Sequence, residues 1–524
     1  MKWEAVRRAR EILAREEGAI VKDWGGRLPI ALVYPNTYYV GMSSLGLQVL
    51  YRRLNARPDV VAERVFWDPG QPPSSIENQQ PLDRFAVIAA SISFELDILH
   101  LIVMLRQAGL APLADEREED APLVIAGGPV PTANPELLAP LVDAAFIGEA
   151  DAELERLAEV LAETAALPRR DRLHALSTLP GLYVPDVSTP PVQRVWLADL
   201  DAYPTHSAVL TPDTEFGDMY LIEISRGCPR GCRFCLAGQI YRPVRERSVS
   251  ALVGQAQEGL QYRRTIGLVG AAVSDYRDID ELIARLRAMG ARIAVSSLRV
   301  RPLPESLLRA LADSGSQTLT LAPEAGSERL RRAIAKGVRR EDVLSAAERA
   351  AGLGFPQLKL YFMIGLPGET DDDVAAIAEL VGEVRRRFRR RVTIHVTPFV
   401  PKPHTPFERQ PMADALTLDR RGQLLARSLR GPGVTLRLEG AAWARVQGVL
   451  ARGDRTLGRA LGTLQAPTLA AWRRMLRSAG LDEERYLRAR GRDEPLPWSI
   501  VDQSCRLPAG EERTAESYGF AIES

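Results

Sequence analysis

Cys228, Cys232 and Cys235 are spaced C-x3-C-x2-C within ISRGCPRGCRFCLAGQIYRP, residues 224–243. Gly227 and Gly231 free the backbone around them, and Pro229 turns it. Thiolates are soft donors suited to zinc or to iron–sulfur clusters. A structural zinc ion closes its tetrahedron with four protein ligands, and nothing beside this loop supplies a fourth. A cubane iron–sulfur cluster held by three cysteines keeps one iron open to a small molecule. The remaining cysteine, Cys505, lies far along the chain. Two readings therefore stand, a zinc site completed by Cys505 and a cluster with an open iron, and the absence of a nearby fourth ligand favours the cluster.

Such a loop needs a scaffold, and 524 residues provide material for two to four domains. A hydrophobic fraction of 46% and a charged fraction of 26% describe a soluble globular chain. The formal charge of +1 argues against a globally electrostatic nucleic-acid binder. The run RRRFRRR at residues 385–391 reads as the solvated end of a helix. Residues 1–15 are helical in period but lack the apolar core of a secretory signal. No stretch approaches the roughly 20 apolar residues of a membrane span. Four cysteines, three of them clustered, make no disulfide framework, so the expected compartment is the reducing cytoplasm.

In the N-terminal third, LPIALVYPNTYYVGMSSLGLQVLYRRLN from residue 28 reads as strand, turn and helix. Residues 85–110 repeat the pattern, and 122–161 add two more strands, each followed by a loop and helix. This alternation predicts a parallel sheet with both faces covered. Ligands on such sheets sit beyond the carboxyl ends of the strands, here residues 35–44, 91–95, 127–132 and 148–151. Residues 179–214, rich in Pro, Asp and Thr, read as a linker, with His206 on its surface. Beyond the cysteines, strands are expected at 219–225, 265–271, 292–297, 317–322, 357–364 and 392–398, with helices between them. Six such units imply a partial (β/α)6 barrel with its chemistry at the carboxyl strand ends. A further strand at 434–438 and several helices follow. The expected class is thus α/β, with a Rossmann-like domain at 1–178, a linker at 179–214, a barrel at 215–412 and an α-rich cap at 413–524.

With Phe234 just before the last cysteine, the motif resembles the signature of the radical S-adenosylmethionine (SAM) superfamily. The resemblance implies a [4Fe-4S] cluster on Cys228, Cys232 and Cys235 whose open iron is chelated by the amino and carboxylate groups of SAM. An electron from the reduced cluster then cleaves SAM to methionine and a 5'-deoxyadenosyl radical, which abstracts hydrogen from an unactivated carbon. It also implies a reducing donor such as flavodoxin or ferredoxin. By the same resemblance, Gly270 and Ala271 border the SAM amino group. Ser297 offers a hydroxyl, and Arg299 a guanidinium that matches the SAM carboxylate in paired donors. Glu324 and Gly326 fall near ribose and methionine, and Ile364 and Gly365 border the adenine.

The run AGGP…NPE…D…IGEAD, with the sheet around it, resembles the cobalamin-binding domain that precedes the barrel in one branch of that superfamily. The branch's lower-ligand motif D-x-H-x-x-G is absent. His100, inside LDILHLIVM, reads as a core or interface residue. PFVPKPHTPFE, residues 398–408, resembles the segment that closes the barrel, and its His404 faces substrate or solvent. LPW-x-x-VD near the end resembles a poorly characterised branch with a cobalamin-domain-like N-terminus. The expected activity is reductive SAM cleavage coupled to cobalamin-dependent methyl transfer to an unactivated carbon or phosphorus. The rivals are a cobalamin-free radical enzyme acting on RNA or protein, and a non-catalytic iron–sulfur protein. A methylthiotransferase would carry a second cysteine trio upstream, which this chain lacks.

Overall fold

The structure is a computed structural model that describes residues 3–504; Cys505 lies outside them. The N-terminal sheet consists of β1 (Leu28–Tyr34), β2 (Val60–Phe66), β3 (Val87–Ser91), β4 (Leu123–Gly127), β5 (Ala144–Phe146) and β6 (Leu182–Tyr183), in the order β2-β1-β3-β4-β5-β6. β1 to β5 are parallel and β6 runs antiparallel to β5. Because strand side chains alternate between faces, Ile30, Leu32, Val87 and Ile125 pack on helices Leu45–Ala56 and Leu154–Glu163. Ala31, Val33, Ile88 and Val124 join helix Asp97–Gln107 on the opposite face, in a core that continues into the barrel. The chain leaves β1 towards β2 on one side and returns to β3 on the other. That reversal makes the carboxyl ends of β1 and β3 a topological switch point, where open sheets place ligands.

Next come β7 (Val192–Gln193), β8 (Met219–Glu223) and the short antiparallel pair β9 (Ser225–Arg226) and β10 (Arg245–Glu246). The barrel continues with β11 (Thr265–Val269), β12 (Arg292–Val295), β13 (Thr318–Glu324), β14 (Gln357–Ile364), β15 (Arg391–Pro398) and β16 (Val434–Leu438), before β17 (Val501–Asp502) pairs with β7. β8, β11 and β12 form one parallel run and β13 to β16 another, joined by a bridge between Leu298 and Leu321. All six expected strands are present. β16, which the sequence assigns to the cap, extends the arc as a seventh strand because it pairs in parallel with β15.

Residues 179–214 lie against both sheets. Ser207 N–H donates to the Leu221 carbonyl and Glu223 N–H to the Thr205 carbonyl, each at 3.0 Å. His206 is thereby buried beneath Tyr220 with the Arg52 guanidinium on its ring, which corrects the surface position expected for it. The C-terminal helices pack on the same core through fully buried Trp472. Trp498 is also buried, and its indole N–H donates to Glu408 at 2.7 Å. Among the described residues no helix is long and apolar enough to cross a membrane.

Candidate functional site

The cysteine loop leaves the barrel just after β9. Gly227 has φ +85°, and a Cβ there would stand 2.5 Å from the Tyr241 carbonyl oxygen, so only glycine fits. Arg233 N–H donates to the Ile334 carbonyl at 3.1 Å, and Phe407 N–H to the Arg233 carbonyl at 3.2 Å. Phe234 packs among Leu330, Leu366 and Phe399, which pins the loop over the second half of the barrel. All three thiols are free, with Cys232 buried and Cys228 and Cys235 half-buried. Burial first, and then the neighbouring Cys232 and Cys228 thiols, raise the pKa of Cys235. Among the described residues, no three His, Cys, Asp or Glu side chains converge on a single-ion site.

The other expected site residues lie at carboxyl strand ends around this loop. Gly270 and Ala271 follow β11, and a Cβ on Gly270 would come within 2.9 Å of Ser225 Oγ. Ser297, past β12, is exposed. Arg299 Nε stands 3.3 Å from Asp275 Oδ2, so an internal carboxylate already engages it. Glu324 takes a left-handed φ of +71° where the β13–β14 register shifts, and Lys336 Nζ meets it at 2.8 Å. Backbone strain of this kind tends to persist at functional sites, and the sequence reading missed Lys336. Gly326 has a packing role: a Cβ there would sit 2.2 Å from Ile377 N, so glycine lets the loop approach helix Asp371–Phe388. Ile364 closes β14. Gly365, at φ +81°, donates its N–H to Glu369, whose carboxyl burial pushes up to about 7.

A cavity of about 570 Å³ joins the two sheets. One end is an apolar slot between Ile30, Leu32 and Val87 and the helices Leu45–Ala56 and Leu154–Glu163. The other end reaches Gly227, Tyr241, Gly270 and Ala271 beside the cysteine loop. At the strand ends between them, a Cβ on Gly127 would meet nothing nearer than Phe146 Cβ at 3.9 Å, so space is open there. No histidine lines the cavity. His100 Nδ1 lies 2.9 Å from the Pro35 carbonyl and its ring stacks on Trp67, both within the N-terminal sheet domain. His404 meets the Ala133 carbonyl at 2.9 Å, so it faces the N-terminal sheet domain, and burial lowers its pKa to about 4.

Gly148, Glu149, Ala150 and Asp151 of the IGEAD run line the cavity, and Glu149 and Asp151 clamp the two sheets together. Arg226 reaches Asp151 at 2.6 Å, Glu149 at 3.0 Å and Glu223 at 3.0 Å, while Arg245 meets both Glu149 oxygens at 2.8 and 2.9 Å. Burial opposes the charge on Glu149, but Arg245 and then Arg226 outweigh it and lower its pKa. Elsewhere in that run, Asn134 donates to the Gly453 carbonyl at 2.8 Å, and Arg455 donates to Glu136 at 2.8 Å. These residues therefore tie domains together, a role that ligand-oriented reading of the motif overlooks. The available signal was charge beside apolar strands, which must find partners when buried.

A profile for radical SAM proteins, N-terminal, matches residues 46–185, and one for the radical SAM superfamily matches residues 222–381. An uncharacterized protein of Methanocaldococcus jannaschii is 32% identical over 84% of this chain and 92% of its own length. An uncharacterized methyltransferase of Pyrococcus horikoshii is 26% identical over 48% of this chain and 56% of its own. Among solved structures, the cobalamin-dependent radical enzyme OxsB with aqua-cobalamin and S-adenosylmethionine bound is 17% identical at a TM-score of 0.48. That match covers 68% of this chain and 52% of the OxsB chain.

Proposed function

Because this chain belongs to the radical SAM superfamily, an enzyme family that uses SAM, an iron–sulfur cluster and a reductant, we propose that Cys228, Cys232 and Cys235 hold a [4Fe-4S] cluster and that the cavity holds cobalamin for methyl transfer to an unactivated carbon or phosphorus. The cluster would supply the electron that cleaves SAM, and cobalamin would carry the methyl group. Most of the expected site residues have a part in this reading. Phe234 and the Arg233 backbone fix the thiolates over the barrel mouth. Gly270 and Ala271 leave room for the SAM amino group, and the Ile364–Gly365 backbone, held by Glu369, borders the adenine. Arg299 meets the SAM carboxylate by exchanging its Asp275 contact. Glu324 and Lys336 stand together at the ribose side, and Ser297 presents its hydroxyl from the rim. A reducing cytoplasmic setting belongs to the same reading.

The observation that carries the cobalamin assignment is the continuity of one cavity from the apolar slot in the N-terminal sheet to the residues flanking the cluster loop. A pocket of this size and lining suits a ligand with an apolar end and a polar, reactive end. The test is cofactor content after anaerobic purification and reconstitution with hydroxocobalamin. About one cobalt per chain is expected, reduced in a Leu32→Trp variant that fills the slot. Failure of the wild-type chain to retain any corrinoid would leave the cobalamin-free radical enzyme as the reading.

A further inference from the structure

Closed barrels of strands and helices fill their interior with bulky apolar side chains, yet the interior face of β14 to β16 carries charge. Leu358, Leu360, Ile394 and Val396 are at most 1% exposed and pack outward with Val343, Val374 and Val381 of the surrounding helices. Alternation therefore turns Lys359, Tyr361 and His395 into the barrel. The strand register sets Tyr361, His395 and Arg437 in one rank across β14, β15 and β16. Lys359 Nζ lies 4.7 Å from the centroid of the Tyr361 ring, and the Tyr361 and His395 rings are 5.2 Å apart. The four side chains make one wall.

That wall lacks the partners that a purely structural role would give it. Lys359 is half-buried and forms no hydrogen bond or ion pair among the described residues, its contact being the face of the Tyr361 ring. His395 Nδ1 is buried without a hydrogen-bond partner. Arg437 is exposed on the free edge strand β16 and has no ion pair among the described residues. The one carboxylate within 4 Å of these side chains, among the described residues, is Glu439, whose Oε1 stands 3.9 Å from His395 Nε2. Burial lowers the pKa of His395, Glu439 opposes the shift, and Lys359 and Arg437 add to it, so the imidazole is neutral at pH 7. Two cations thus face one carboxylate. Withdrawing a cation from water without an anion is costly, and a ligand that brings the anion removes that cost.

The wall also runs up to the cysteine loop. Met363, on the same face of β14, packs in the apolar cluster that contains Phe234. At about 3.3 Å per residue, Tyr361 lies about 7 Å and Lys359 about 13 Å further down the strand.

We propose that this wall selects the substrate of the radical reaction, a small organic anion whose carboxylate or phosphate group is held by Lys359 and Arg437, with Tyr361 and His395 as neutral hydrogen-bonding partners beside it. The inference rests on the cluster assigned above to Cys228, Cys232 and Cys235. Charge-assisted hydrogen bonds fix the anionic end of the substrate, and the carbon that reacts is then about 7 to 13 Å away, beneath the cysteine loop. A neutral substrate would leave both cations unpaired.

The test uses the full chain, anaerobically reconstituted and holding SAM without reductant, so that the SAM carboxylate occupies its own site. Equilibrium dialysis measures the binding of labelled inorganic phosphate and of labelled succinate, with labelled glycerol as the neutral control. About one anion per chain is expected, and no glycerol; the tighter of the two anions tells a phosphate substrate from a carboxylate. K359Q/R437Q should weaken binding about tenfold or more, and K359R/R437K should keep most of it. E439Q, which removes the opposing carboxylate, should tighten binding about threefold. All three variants should keep the iron–sulfur absorbance, which separates lost recognition from misfolding. Failure of the wild type to bind either anion would overturn the proposal. So would equal binding by the wild type, K359Q/R437Q and E439Q, since the probe would then be an adventitious ion only. A wild-type chain without iron–sulfur absorbance would overturn the reading beneath, and this is visible before any anion is added.

Discussion

Arg226 stands two residues before Cys228 and reaches Asp151, at the carboxyl end of the N-terminal sheet, at 2.6 Å. The strand that introduces the cysteine loop is thus fastened to the domain across the cavity. Glu149 binds Arg226 and Arg245 together in the same clamp, and Arg245 is itself buried. Removing one member of a buried ion pair leaves the other charge uncompensated and costs about 3–5 kcal/mol. Glu149→Ala should accordingly lower the unfolding free energy by that order, read as a lower denaturant midpoint at unchanged slope. A midpoint within experimental error of the wild type would show that the clamp does not couple the domains.

His404 gives a pH prediction of defined sign. Burial keeps it neutral in the folded chain down to about 4, against an ordinary value of 6.5. As pH falls below 6.5 the unfolded chain takes up a proton that the folded chain refuses, so stability declines towards pH 4 and then levels. The full loss is about 3 kcal/mol, at 1.36 kcal/mol per unit. His404→Gln should flatten that part of the profile; an unchanged slope between pH 6.5 and 4 would assign it to other groups.

Much of this arrangement was legible in the sequence, because period and spacing are local. The strands at 357–364 and 265–271 follow from apolar patterning, the second ending at Val269 in the structure, and the cysteine loop follows β8 and β9 as a barrel site requires. Pairings between distant residues were not legible. Nothing local to Val434–Leu438 tells a strand in a helical cap from a seventh barrel strand, since its partner β15 is supplied by the fold. His206 sits in a polar, turn-rich stretch and is buried only because that stretch lies along β8. The close packing of Gly326 was not legible either, because the helix whose Ile377 N would lie 2.2 Å from an added Cβ is brought there by the fold.

The cavity lining makes a spectroscopic prediction. With no imidazole among its walls and His100 turned onto the Pro35 carbonyl, bound cob(II)alamin should show no nitrogen superhyperfine splitting from a protein histidine. Splitting that disappears in His100→Ala would mean that the helix rearranges to ligate cobalt.

Each cluster thiolate should be indispensable, since three-point ligation leaves no spare donor. Cys228→Ala, Cys232→Ala and Cys235→Ala should each abolish the iron–sulfur absorbance after reconstitution. A full four-iron cluster in any of them would refute the ligand set. Cys505→Ser should assemble a normal cluster, and its failure to do so would revive the four-thiolate zinc-like site.

The most direct measurement is anaerobic SAM cleavage by the reconstituted chain under strong reduction, with 5'-deoxyadenosine and methionine quantified together. The account predicts both products in equal amounts from the wild type and neither from Cys232→Ala. A wild-type chain that holds an intact, reducible cluster, binds SAM and forms neither product would contradict it.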